Sequence, residues 1–84
     1  MGWKMRIGDA VRMRIFLLCD DRKISVNKLS TICGITQSTL SNITGGRNNS
    51  ATVSTIQKIC DGLEINIKEF FDSDLFDDLE QEIK

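Results

Sequence analysis

Between Val26 and Ile43 the sequence sets a spacing that few folding units satisfy. Apolar residues fall at Leu29, Cys33, Ile35, Leu40 and Ile43, the small Ser30 follows Leu29, and Gly34 follows Cys33. A small residue on an apolar face lets two helices cross closely. A glycine just past a helix end takes the left-handed conformation that turns the chain. The five apolar positions then hold two short helices at a steep angle against other elements. The spacing predicts a helix-turn-helix unit over residues 26–44.

The flanking residues supply the rest of an all-α architecture. Ile7, Val11, Ile15 and Leu18 recur at helical spacing, which predicts a first helix from residue 8 to about 22. Phe16, Leu17 and Cys19 widen its apolar surface beyond one stripe. Ser25 reads as the N-cap of a second helix, Val26–Cys33, with Val26, Leu29, Ile32 and Cys33 inward. Thr36 reads as the N-cap of a third, Gln37–Thr44, with Leu40 and Ile43 inward. Thr52 caps a fourth, Val53–Gly62, whose apolar set is Val53, Ile56, Ile59, Cys60 and Leu63. Asn66 and Glu69 form a capping box for a short fifth helix that turns Ile67, Phe70 and Phe71 inward. A last amphipathic stretch, Ser73 to about Glu82, places Leu75, Phe76, Leu79 and Ile83 on one side and acids on the rest. No stretch alternates with period two, so no sheet is expected.

Charge is distributed unevenly. The formal net charge is −1, which by itself argues against a polyanionic partner. Resolved along the chain, residues 1–60 carry nine basic groups against three acidic ones, and residues 61–84 carry two against nine. A basic body with an acidic tail points towards polyanion binding by the body.

Other functions lose ground on residue types. The chain has 84 residues, enough for one core. It has no histidine, so the commonest general base and the commonest zinc ligand are missing. There is no paired-carboxylate motif on the basic body, and the Gly45-Gly46-Arg47 turn is too short for a phosphate-cradling loop. No enzyme activity and no cofactor are therefore expected. Cys19, Cys33 and Cys60 contain no Cys-x-x-Cys pair and read as small buried residues of a reducing compartment, rather than as a metal or redox site. Residues Met1 to Arg6 lack the apolar stretch of a secretory signal. The run Ile15–Cys19 is far short of a membrane span.

The face of the third helix is the informative surface. Its outward positions are Gln37, Ser38, Thr39, Ser41 and Asn42, which are polar, uncharged and short. A merely solvated helix usually carries Glu and Lys pairs there. Amide side chains donate and accept together, so Gln37 and Asn42 suit an adenine edge, and Ser38 and Ser41 suit either role. These four are the candidate base readers. Ser25, Asn27, Thr36, Thr39, Arg47, Asn48 and Asn49 are candidate contacts to the DNA backbone, with Arg14 and Lys28 as secondary candidates.

At these residues the chain resembles the Cro/CI-type (XRE) helix-turn-helix family. The likeness runs from about Val11 to Phe71. It rests on Ile24-Ser25 leading to Leu29, on Gly34 to Ser41, on Gly46-Arg47, on Ile56-x-Lys58-Ile59-Cys60-Asp61-x-Leu63, and on Ile65 to Phe71. The resemblance implies a compact five-helix, lambda-repressor-like DNA-binding domain over 7–71. Residues 72–84 would add an acidic, amphipathic C-terminal helix. It also implies a cytoplasmic bacterial or phage transcription regulator that binds double-stranded DNA, often as a homodimer, with no membrane or small-molecule partner. Three departures stand out. Val26 occupies the place of a common DNA-anchoring glutamine. Glu64 stands where a left-handed glycine is common. The loop after the third helix is about one residue longer than usual. Phe16, Leu17, Leu75, Phe76 and Leu79 are candidate dimer contacts. The alternative function is an antitoxin or other protein-interaction module acting through the acidic tail.

Overall fold

Three of the helices end in the same way. In each, a residue with left-handed backbone is followed by an isoleucine. Lys23 (φ 57°), Gly34 (φ 67°) and Glu64 (φ 60°) are the left-handed residues. The N–H groups of Ile24, Ile35 and Ile65 each reach back to a helix carbonyl, of Cys19, Ser30 and Cys60 respectively, at 3.0 Å. This is the Schellman closure, which satisfies carbonyls otherwise orphaned at a helix end and folds the next apolar residue back onto the helix. All three isoleucines join or pack against the central core. Only the middle turn uses glycine. Lys23 and Glu64 hold the same conformation at a steric cost of about 1 kcal/mol each.

The computed structural model describes residues 4–45, 51–81 and 83. Its helices are α1 (Ile7–Arg22), α2 (Val26–Cys33), α3 (Gln37–Thr44), α4 (Val53–Leu63) and α5 (Ile67–Phe70), followed by a 3₁₀ turn, Asp74–Phe76. Each helix from α2 to α5 starts at the cap its sequence announces. Ser25 Oγ accepts from the Lys28 N–H at 3.0 Å, and Thr36 and Thr52 do the same for Thr39 and Thr55 at 3.1 Å. Asn66 and Glu69 close a full capping box at 2.7 and 3.0 Å.

The core forms where α1, α3 and the α2–α4 pair converge. Ile15, Leu29, Leu40, Ile59, Cys60 and Phe70 are its largest fully buried side chains. Ser30 is buried among them, and its hydroxyl is satisfied locally by donating to the Asn27 carbonyl at 2.7 Å. α2 and α4 approach so closely that a methyl group at Gly62 would meet Cys33 Sγ at 2.5 Å.

Several expected positions are corrected. Ile32 is 41% exposed and Val53 is 74% exposed. Ile32 lies off the Val26–Leu29–Cys33 stripe, and Val53 fits the spacing of α4 but, as its first residue, is left exposed. Among the described residues the expected C-terminal amphipathic helix does not form. Beyond the 3₁₀ turn, Leu79 forms a parallel bridge with Met5, the Glu80 N–H donates to the Met5 carbonyl at 3.0 Å, and Lys4 pairs with Asp78 at 3.5 Å. A helix here would bring Asp74, Asp77 and Asp78 together at spacings of three and four residues, where like charges repel. An extended strap instead finds backbone partners beside α1. Ile83, expected on the apolar side, is exposed. Phe76 packs with Phe71 and Phe70, at ring separations of 4.9 and 6.5 Å.

Candidate nucleic-acid interface

α3 is an eight-residue helix held from beneath by Leu40 and Ile43, both buried. Everything else from Gln37 to Asn42 faces out: Gln37, Ser38, Thr39, Ser41 and Asn42 are exposed. No charged residue occurs on the helix. Thr44 ends it, its hydroxyl donating back to the Leu40 carbonyl at 2.9 Å. The four candidate base readers therefore share one accessible helix with no competing partner among the described side chains.

The hydroxyls at the start of α3 are partly committed. Thr36 Oγ1 accepts the Thr39 N–H and donates to Thr39 Oγ1 at 2.9 Å. Thr39 thus accepts from its neighbour and keeps its own proton for an outside oxygen. Ser25 is committed as the cap of α2. The exposed Asn27 side chain makes no hydrogen bond among the described residues, while its carbonyl accepts from Ser30 and Thr31. Lys28 is exposed one position further on. Asn27 and Lys28 together put one free amide and one cation at the start of α2. Arg47, Asn48 and Asn49 lie outside the described residues.

One candidate is removed from this surface. Arg14 turns towards α5, with Nε donating to the Phe70 carbonyl at 2.6 Å and Nη2 to the Glu69 carbonyl at 2.9 Å. A guanidinium on the last carbonyls of a helix satisfies orphan acceptors and complements the helix dipole. Nothing local in the sequence identified its partner 56 residues away.

These features match known proteins. A family model described as a Cro/C1-type HTH DNA-binding domain matches residues 14–74. The chain belongs to the Cro/C1-type helix-turn-helix family. Within this family's fold, α2 and α3 are the helix-turn-helix pair. The crystal structure of the prophage Lp1 protein 11 is similar, with a TM-score of 0.76 and 30% identity over 83% of this chain and 92% of that one. No curated protein matches. The all-α, five-helix architecture that the resemblance implied is the one the described residues adopt.

The remaining candidate chemistry is quiet. Burial pushes the thiols of Cys19 and Cys60 up from their ordinary range, and that of Cys33 up to about 11. A thiol held protonated is a poor nucleophile and a poor metal ligand. Cys19 and Cys60 are buried, as expected, and Cys33 is half-buried. Among the described residues no helix is long and apolar enough to cross a membrane.

Proposed function

We propose that this chain is a sequence-specific regulator of transcription that lays α3 in the major groove of duplex DNA. The observation that carries the reading is the face of α3, five exposed, uncharged, hydrogen-bonding side chains on a helix anchored by Leu40 and Ile43. Gln37, Ser38, Ser41 and Asn42 read base edges, Gln37 and Asn42 as amides suited to adenine. Asn27, Lys28 and the Thr39 hydroxyl meet phosphates on either side, with Ser25 and Thr36 fixing the two helix starts. Arg47, Asn48 and Asn49 contribute from the loop after α3. One short helix reads few base pairs, so the protein acts as a homodimer on a two-fold site. Likeness to a prophage protein supports a bacterial or phage setting, hence the cytoplasm.

A partner-neutralising tail is less well supported. Leu75, Phe76 and Leu79 are half-buried against their own chain, and Asp78 is engaged with Lys4.

Selection from a random duplex library at moderate salt tests the proposal. An enriched motif, lost in Gln37→Ala and Asn42→Ala, is the expected outcome. Binding that enriches no motif sinks the sequence-specific reading.

A further inference from the structure

Two amide side chains stand on α3, and their places on the helix constrain which bases they can reach together. Leu40 and Ile43 are buried and define the inward side of α3. On the outward side Gln37 and Ser41 form one column and Ser38 and Asn42 a second, each pair at a helical spacing of four. Gln37 and Asn42 therefore take the two flanks of the exposed face, with the serines between them. At about 100° and 1.5 Å per residue, the two amides stand roughly 140° apart around the axis and roughly 7.5 Å apart along it. Neither amide makes a side-chain hydrogen bond among the described residues. By contrast, Gln57 Nε2 donates to Asp61 Oδ1 and Asn66 Oδ1 accepts the Glu69 N–H, each at 2.7 Å.

A face of this shape, set into the major groove, turns one amide to each wall. A purine carries its N7 on the side of its own strand. The amide nearest one wall thus meets an adenine of that strand, donating to N7 and accepting from the N6 amino group. Two amides at opposite walls take adenines from opposite strands. Their axial separation matches about two base-pair steps of 3.4 Å. We propose that α3 reads a base-pair triplet in which two A·T pairs of opposite orientation, one for Gln37 and one for Asn42, flank a weakly specified central pair. This deepens the reading of α3 given above, on which it rests, by naming the base pattern the helix takes. The central pair lies under Ser38 and Ser41, whose hydroxyls donate or accept and so distinguish bases poorly. Guanine is not selected at the outer positions. Its commonest partners are Arg and Lys, and α3 carries no charged residue.

Selection from a random duplex library with the full chain, followed by titration of duplexes carrying 7-deazaadenine, tests the pattern. The enriched motif should hold two adenines on opposite strands with one pair between them. Asn42→Ala should relax one of these positions and Gln37→Ala the other. Replacing N7 by C–H in one adenine should weaken binding of the native chain about tenfold. The same replacement should have no further effect in the variant that lacks the amide reading it. Circular dichroism on both variants checks that the fold is intact. Outer adenines on the same strand, a different spacing, guanine at an outer position, or both variants relaxing one position would overturn the proposal. Any such motif leaves the wider DNA reading standing, whereas binding with no enriched motif removes that reading as well.

Discussion

Arg14 on α1 donates from Nε to the carbonyl of Phe70, at the end of α5, across 2.6 Å. Its Nη2 holds the Glu69 carbonyl next to it. This bond ties the short α5 to the body, and with it the Phe70–Phe71–Phe76 cluster. Arg14→Ala should cost about 1.5–3 kcal/mol of stability, the range for hydrogen bonds to a charged group. DNA affinity should be unchanged once the protein is folded. Urea unfolding paired with DNA titration checks both. Reduced DNA affinity at unchanged stability would return Arg14 to the interface.

Gly62 is set against Cys33. A methyl at position 62 would gain about 1 kcal/mol of helix propensity over glycine. It would also meet Cys33 Sγ at 2.5 Å and the Cys33 and Ile32 carbons at 3.1 Å. Overpacking of this kind costs about 1–3 kcal/mol, so the steric cost outweighs the propensity gain. Gly62→Ala should lower the unfolding midpoint. Cys33→Ala in the same chain should recover part of the loss, and a double-mutant cycle measures that coupling.

Glu64 carries φ 60° without the licence that glycine has. Glu64→Gly relieves the left-handed strain but adds freedom to the unfolded chain. The net effect should be a stabilisation of up to about 1 kcal/mol, visible as a higher thermal midpoint. A lower midpoint would mean the Glu64 side chain contributes more than its backbone costs.

The thiol of Cys33 is raised from 9.0 to about 11 by burial, reinforced by the neighbouring Cys19, Cys60 and Asp61. The unfolded chain loses that proton first as pH rises, so unfolding is favoured by the thiolate it releases. Stability contributed by the protonated Cys33 is complete below pH 9 and is lost progressively towards pH 11. Thermal midpoints measured across this window should fall less steeply in Cys33→Ala than in the native chain.

DNA affinity should divide the interface residues into two groups. Gln37→Ala and Asn42→Ala should each cost about 1–3 kcal/mol on the best site and flatten the base preference. Lys28→Ala should weaken all sequences alike and reduce the slope of log affinity against log salt by about 1. A uniform loss for Gln37→Ala would make it a backbone contact.

The amino-acid order alone marks every helix start from α2 to α5, because capping is a bond between residues three apart. Ser25, Thr36, Thr52 and Asn66 each announce their role within one turn of chain. It determined the helix-turn-helix spacing and the uncharged face of α3 for the same reason. Where long-range partners lie emerges only once the chain is folded. Arg14, a secondary candidate for the DNA backbone, instead meets the carbonyls of Glu69 and Phe70, and Ile32, expected inward, lies off the buried stripe of α2. The tail shows the division most plainly. Leu75, Phe76 and Leu79 keep a helical period, yet repulsion among Asp74, Asp77 and Asp78 opposes a helix. The backbone and side chain offered by Met5 and Lys4, more than seventy residues back in the chain, draw the tail into an extended strap.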